Sequence, residues 1–357
     1  MKKLKLAVIG RGRSGRDIHG AYYLSERNEH FEVGYIVDRD PVRREEAKKR
    51  HAGAVILSDY RELFGCGDID LVVNASYSAD HFPITKDLLE HGFNVLSEKP
   101  FAATRRECDL LIETARAKGL LLAVFQNTQV APFFTHAKAL IDSGRIGEVM
   151  QISLRYNGLS RRWDWQTLQK KLGGSSYNTG PHPIMMALGF LDFDPRTRVA
   201  YSRLACASSS GDAEDYVKII LDAPGRPPVD IEITSTDAYT DYNLLIQGSR
   251  GSFRSRPNGY SVKYYTEEEN PPHAVIEDTL RDRDGMPVYC SEDLVLHEES
   301  GTYEGTAFDI GTAGIYEGVY RALTEGAPLP VSCEQAAMGI GVIETVHAQN
   351  PLPLKFV

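Results

Sequence analysis

Two stretches near the start of the chain combine residue types and spacings that could do chemistry. The first is Gly10-Arg11-Gly12-Arg13-Ser14-Gly15, a G-x-G-x-x-G that follows an apolar run and opens an amphipathic one. Such a loop suits a pyrophosphate. Gly10 would make a tight turn, Gly12 would let the backbone approach the phosphates, and Gly15 would let a helix pack closely on its strand, with the phosphate charge at the helix N-terminus. Asp38 closes the next β-rich run 23 residues beyond Gly15, where an acid of such sites holds the adenosine ribose hydroxyls. A carboxylate there repels a 2'-phosphate, so NAD is expected over NADP, although Arg39 beside it could pair with that phosphate. The competing reading of Asp38 is a helix N-cap before Pro41. The second stretch, Glu98-Lys99-Pro100, ends another β-rich run, at the edge where open α/β sheets bind ligands. Taken alone, Glu-Lys-Pro reads as a solvated turn.

The elements that must position these residues follow from periodicity. Up to residue 126, short apolar β-rich runs alternate with longer amphipathic stretches, which predicts a parallel sheet covered by helices. Strands are expected at 4–9, 33–38, 54–57, 71–75, 94–97 and 120–125, with helices at 14–24, 41–51, 81–91 and 104–118. Cofactor contacts are accordingly expected from Gly10, Arg11, Gly12, Arg13, Ser14, Gly15, Asp38 and Arg39. Later segments add Ala75, Ser76, His81, Glu98, Lys99, Pro100, Gln126 and Asn127. After a helix at 132–143, the pattern changes to antiparallel strands at 149–156, 198–206, 216–221, 229–235, 243–247 and 260–265, interrupted by a helix at 183–191. The expected architecture is an α/β Rossmann domain (1–126) followed by an α+β domain (127–357) with a large, mostly antiparallel open sheet, for substrate binding and oligomerisation. Residues 266–300, charged and containing Pro271-Pro272, read as an excursion or lid, and two helices near 303–324 and 333–349 close the chain. A half-apolar sheet face suggests a homo-oligomer, a dimer or tetramer.

Composition excludes several classes. The 357 residues carry a net charge of −9, which works against binding to phosphate backbones, so no nucleic-acid partner is expected. The five cysteines and ten histidines are dispersed, without metal-ligand spacing, and no metal is expected. No apolar run approaches the roughly 18 residues of a membrane span. The run at 6–9 is too short for a signal peptide, so a cytoplasmic protein with no membrane partner is expected.

Two further segments, together with the glycine loop, Asp38 and Glu98-Lys99-Pro100, carry a family resemblance. They are Ile141-Asp142-Ser143-Gly144-Arg145-Ile146-Gly147-Glu148, before a long strand, and Gly173-Gly174-x-x-x-Asn178-x-Gly180-x-His182. The chain resembles, over nearly its whole length, the Gfo/Idh/MocA oxidoreductases, which include glucose-fructose oxidoreductase and inositol dehydrogenases. The resemblance implies NAD(P)-dependent oxidation or reduction at one carbon of a sugar, cyclitol or glycoside, and a cis Lys99-Pro100 peptide. An alcohol that yields a hydride must also lose its hydroxyl proton, so a base must stand within hydrogen-bond reach. Lys99 and His182 suit this: an ordinary histidine, with a pKa of about 6.5, exchanges protons at neutral pH, and an ammonium orients a hydroxyl and stabilises developing negative charge.

The chain departs from the family at Asn178, where the pattern has Asp, and at Gln126-Asn127-Thr128-Gln129, where relatives often carry arginines. Asn cannot transfer a proton, though it can hold a hydroxyl as donor and acceptor, and the lost arginines favour a neutral, carbohydrate-like substrate. Further substrate contacts are expected from Tyr156, Asn157, Arg162, Trp163 and Trp165, with Arg161 a neighbouring candidate and the tryptophans offering faces for sugar C–H groups. His19 and Tyr22 either face the pocket or pack the first helix. The residues fit an NAD-dependent dehydrogenase first, then a glycoside-cleaving enzyme that recycles bound NAD, or a non-catalytic dinucleotide sensor.

Overall fold

A computed structural model describes residues 3–256 and 259–356. Its first sheet is parallel and is built from β1 (Leu4–Ile9), β2 (Phe31–Val37), β3 (Val55–Leu57), β4 (Leu71–Asn74), β5 (Val95–Ser97) and β6 (Leu122–Val124). The strand order is β3-β2-β1-β4-β5-β6. The chain moves one way from β1 through β2 to β3, then crosses back to β4 on the other side of β1 and continues through β5 to β6, so a crevice opens beyond the carboxyl ends of β1 and β4. These strands read as continuous apolar runs because helices cover both faces; Leu71, Val72 and Val73 are fully buried.

The chain after the glycine loop does not form one regular helix. A wide π-type turn over Ser14–Ile18 leads into the short α1 (His19–Tyr23). Beyond it come α2 (Pro41–Arg50), α3 (His81–Glu90) and α4 (Arg105–Lys118). α4 begins with a capping box, in which the Glu107 N–H donates to Thr104 Oγ1 at 3.2 Å and the Thr104 N–H donates to Glu107 Oε2 at 3.1 Å.

After α5 (Pro132–Asp142), the second sheet comprises β7 (Val149–Asn157), β8 (Arg198–Ala205), β9 (Tyr216–Asp222), β10 (Val229–Thr234), β11 (Leu244–Gly248), β12 (Gly251–Arg256), β13 (Gly259–Tyr264) and β14 (His297–Thr302). Its order is β14-β13-β12-β11-β7-β10-β9-β8, and among the described residues only β7 and β10 pair in parallel. The short α6 (Ser175–Asn178) and α7 (Pro181–Phe190) lie between β7 and β8, and α8 (Thr312–Glu325) and α9 (Cys333–Gln349) close the chain. α7 and α9 cover the apolar half of the alternating strands: Ile184, Ile343, Ile152, Ile219 and Ile231 share one core, which continues into the α3/α4 side of the first sheet. α8 returns to the opposite side of the first sheet, where Ile315, Tyr316 and Val319 pack with Tyr23, Phe31 and Phe125.

The structure departs from the sequence expectation in the second sheet. β12 and β14 have no counterpart in the expected strands, and His297 to Ser300 leave the excursion to join the sheet edge. The outward face of the sheet is charged, not half-apolar: Arg155 lies 2.7 Å from Asp230, and Lys218 contacts Asp230 at 2.7 Å and Glu232 at 3.4 Å. The apolar half of the alternation that suggested an oligomer face is the half under α7 and α9. Among the described residues, no helix is long and apolar enough to cross a membrane.

Candidate active site

A cleft of about 480 Å³ opens at the carboxyl edge of the first sheet and is closed on one side by Arg162, Asp164, Trp165, Gln166 and Asn178 of the second domain. The glycine loop forms its floor. Gly10 has φ +92°, and a Cβ there would stand 2.3 Å from the Ala75 carbonyl oxygen; one on Gly15 would stand 1.9 Å from the Gly10 oxygen. A Cβ on Gly12 meets nothing within 4 Å and points to open space. Two glycines therefore serve the turn and the helix packing, while the third keeps a backbone cradle clear. That is the arrangement a pyrophosphate requires, so the residues present fit a dinucleotide.

Asp38 is buried at the end of β2. Its Oδ2 accepts the Arg11 N–H at 2.6 Å and its Oδ1 accepts the Asp40 N–H at 2.8 Å. Asp40, not Asp38, caps α2, accepting the Val42 N–H at 2.8 Å, so the helix-cap reading of Asp38 falls. Arg39 lies on the cleft wall with its side chain 73 % exposed, and Arg43 approaches Asp38 at 3.6 Å. Arg13, Ser14, Ala75, Ser76 and His81 also line the cleft. The Arg11 side chain does not. It lies beneath the loop, donating to the Gly15 carbonyl at 3.2 Å and to Glu46 at 2.7 Å, so its expected cofactor contact gives way to support of the loop. Gly15 and Pro100 lie behind the cleft wall.

The reacting end is built on Glu98-Lys99-Pro100. The Lys99-Pro100 peptide is cis, as the resemblance implied. The His81 ring holds this turn to the end of β4, with Nδ1 2.7 Å from the Pro100 oxygen and Nε2 3.2 Å from the Ser76 oxygen. Glu98 Oε2 accepts the Lys99 N–H at 3.0 Å, and Oε1 accepts from His19 Nε2 at 3.1 Å. Burial opposes the Glu98 charge, but the His19 hydrogen bond and neighbouring positive charge outweigh it and hold the carboxyl at about 2. Lys99 Nζ crosses to the second domain and donates to the Asn178 carbonyl at 2.8 Å. Burial draws its pKa down, Glu98 opposes this and Arg13 adds to it.

His182 stands in the first turn of α7, its Nδ1 buried without a hydrogen-bond partner among the described residues. Burial, then the Lys99 charge, pushes its pKa down to about 3 against the pull of Glu98. The sequence reading assumed an ordinary imidazole; in this environment the ring is neutral at physiological pH and a weaker base than an ordinary imidazole, because burial and the Lys99 charge both oppose its protonated form.

The substrate-side expectations divide. Asn178, Arg162 and Trp165 line the cleft. The Asn178 amide pairs reciprocally with Gln166, accepting at 3.1 Å and donating at 3.4 Å, and Trp165 packs edge-to-face on Tyr77 with ring centroids 5.1 Å apart. Arg162 is neutralised by Asp164 at 2.8 Å. Other expected residues lie elsewhere or pack differently. Trp163 is 81 % exposed outside the cleft wall. Tyr156 faces the core under the sheet, its hydroxyl donating to Met186 Sδ at 3.4 Å. Asn157 sits on the outward face, donating to Glu232 at 2.9 Å and Asp237 at 3.0 Å. Gln126 and Asn127 are buried past β6, off the cleft wall; Asn127 donates to the Ala307 carbonyl at 2.8 Å, while both amide oxygens lack partners among the described residues. His19 and Tyr22 are buried core residues rather than pocket residues.

Tyr77, Gln166 and Arg43 on the cleft wall were missed. Tyr77 follows the end of β4 and was within reach of the rule that ligands bind at carboxyl edges. Gln166 carried no signal, because its partner lies in another element.

A Rossmann cleft with a glycine cradle and a lysine bridging to a second, antiparallel domain defines a dinucleotide-dependent oxidoreductase. Residues 4–126 match the oxidoreductase family with an NAD-binding Rossmann fold, and residues 134–254 match the GFO/IDH/MocA C-terminal domain. The chain belongs to the Gfo/Idh/MocA oxidoreductase family. An uncharacterised oxidoreductase, C115.03, of Schizosaccharomyces pombe is 30 % identical over 262 residues, 71 % of each chain. The scyllo-inositol 2-dehydrogenase (NADP(+)) IolW of Bacillus subtilis is 24 % identical, covering 97 % of this chain and 92 % of its own. A point mutant of KijD10, a 3-ketoreductase from Actinomadura kijaniata solved with TDP-benzene and NADP, shares the fold at a TM-score of 0.79 and 19 % identity over 98 % of both chains.

Proposed function

We propose that the protein moves a hydride between NAD and a secondary alcohol carbon of a neutral sugar, cyclitol or glycoside. The observation that carries this reading is the Lys99 amine, held at the carboxyl edge of the dinucleotide cleft and bonded 2.8 Å to the Asn178 carbonyl, with His182 off the cleft wall but near enough to feel the Lys99 charge. Gly10, Gly12, Arg13 and Ser14 would hold the pyrophosphate, and Asp38 the adenosine ribose. When bound, the nicotinamide supplies or accepts the hydride. Lys99 orients the substrate hydroxyl and stabilises the charge that develops on its oxygen, and His182 takes the hydroxyl proton. Asn178, fixed by Gln166, positions a second hydroxyl. A neutral substrate is supported by the pairing of Arg162 with Asp164 and by the Gln166 amide that pairs with Asn178.

The preference for NAD over NADP rests on Asp38, whose charge faces any 2'-phosphate; Arg39 and Arg43 beside it make the margin modest. The test is reduced-cofactor absorbance with NAD and NADP across free sugars, inositols, and O- and C-glycosides. Net NADH formation with at least one neutral polyol supports the reading. Glycoside cleavage without net NADH would replace it with internal recycling of the cofactor, and dinucleotide binding without any turnover would leave a sensor.

A further inference from the structure

Behind Lys99, four buried polar side chains form a continuous hydrogen-bonded line that starts at Glu98 on the cleft wall and runs away from the cleft. Glu98 Oε1 accepts from His19 Nε2 at 3.1 Å, and His19 Nδ1 lies 2.8 Å from the Tyr316 hydroxyl, which is in turn hydrogen-bonded to the Tyr23 hydroxyl. His19 and Tyr316 are fully buried, and Glu98 is 3 % exposed. The line crosses three elements: the end of β5, α1 and α8. A carboxylate can only accept, so His19 carries its proton on Nε2. In the neutral imidazole the Tyr316 O–H donates to Nδ1, and the Tyr23 O–H donates to Tyr316.

We propose that His19 and Tyr316 are positioning residues that keep Glu98 ionised and fixed on the Lys99 backbone, and thereby set the protonation of the Lys99 amine. Among the described residues, no arginine or lysine side chain is hydrogen-bonded to Glu98, and an unpaired carboxylate this deeply buried would neutralise itself. Its ionisation depends on the His19 N–H and on the Lys99 backbone N–H at 3.0 Å. The groups facing Lys99 are Glu98 on its own strand end, Arg13 from the glycine loop and His182 from α7; those facing Glu98 are His19 and Tyr23 from α1, His81 from α3, His182 from α7, Tyr316 from α8 and Lys99. Of the charges facing the amine, only Glu98 is negative and favours its protonated form. Tyr316 enters through the aromatic cage around His19, with ring centroids 4.5 Å to Phe125 and 5.9 Å to Tyr316, and through its hydroxyl at Nδ1, which together orient the imidazole toward Glu98. A C-terminal helix thus reaches the candidate catalytic lysine through three side chains.

This inference rests on the reading of Lys99 as the amine that orients the substrate hydroxyl and stabilises its charge, so its test uses neither substrate nor cofactor and fails separately from the turnover panel. The full chain is treated over a pH series with a small amine-acylating reagent, and modification of Lys99 is followed by peptide mass spectrometry. In His19→Leu, Glu98 protonates, and the pH at which Lys99 becomes reactive falls by about one unit or more. Glu98→Gln gives the same fall, and adding His19→Leu to it produces no further shift. His19→Gln, whose amide N–H can still reach Glu98, restores most of the wild-type profile, and Tyr316→Phe shifts it in the same direction by less. Infrared spectroscopy of His19→Leu should show a protonated-carboxyl stretch that the added Glu98→Gln removes. An unchanged Lys99 profile in folded His19→Leu, or an additive shift in the double variant, overturns the proposal. Should His19→Leu fail to fold, an unchanged profile in Glu98→Gln overturns it equally.

Discussion

Gly12 and Gly15 stand three residues apart in one loop, yet the structure separates what a methyl group would do at each. At Gly15 a Cβ would lie 1.9 Å from the Gly10 oxygen and 3.6 Å from the Ala75 Cβ. The first of these neighbours is backbone in a tight turn and cannot yield cheaply, so Gly15→Ala should cost about 1–3 kcal/mol, as overpacking does. At Gly12 nothing lies within 4 Å and φ is not positive. Gly12→Ala should leave stability unchanged or raise it by up to about 1 kcal/mol by restricting the unfolded chain. The same methyl projects into the space that a pyrophosphate must enter, so NAD affinity should fall about tenfold or more, roughly 1.4 kcal/mol. Urea unfolding and calorimetric titration with NAD separate the two effects. If Gly12→Ala binds NAD as tightly as wild type, or loses as much stability as Gly15→Ala, the loop has been misread as a cradle.

Asp38→Ala should weaken NAD binding by about 1–3 kcal/mol and narrow the NAD/NADP ratio in kcat/KM; wild type that prefers NADP would refute the assignment. Lys99→Ala and His182→Ala should each lower kcat by about 10² to 10⁴ with NAD binding nearly intact, whereas Asn178→Ala should mainly raise KM. Asn178→Asp puts an anion near His182 and should move the pH-rate profile to higher pH, which steady-state kinetics on the substrate found above would check. His182 has its pKa pushed down to about 3, below its ordinary 6.5, so the unfolded chain binds more protons and stability should decline as pH falls from about 6.5 toward about 3; the drop in urea midpoint between pH 7 and pH 5 should be smaller in His182→Leu, the remainder coming from His51, His81 and His136, which burial also depresses.

The parts of the fold that were readable in sequence are those where local pattern and burial coincide. β1, with Leu6 to Ile9 buried, and α4, with its capping box and Gly119 at φ +65°, were bounded within a residue or two. β12 and β14 escaped because an edge region needs little apolar surface: β12 buries only Phe253 and Ser255, and β14 buries none of its side chains. The candidate site shows the same division. The glycine loop, Asp38 and Glu98-Lys99-Pro100 were legible because each is a contiguous backbone device. The Gln166 and Asn178 pair and the line from Glu98 to Tyr316 were not, since Tyr316 lies 297 positions from the histidine it contacts. Both tryptophans were assigned to the pocket, and the structure keeps only Trp165, because no periodicity fixes which way side chains point in an irregular loop.

α8 and α9 have a mechanical consequence. α9 packs against α4 and β6 on one side and α7 and β8 on the other, and the Cys333 thiol meets the Leu122 carbonyl at 3.1 Å. α8 grips the far side of the first sheet with Tyr316 buried completely. The polypeptide thus laces the two halves together at front and back, which opposes any swing of one away from the other.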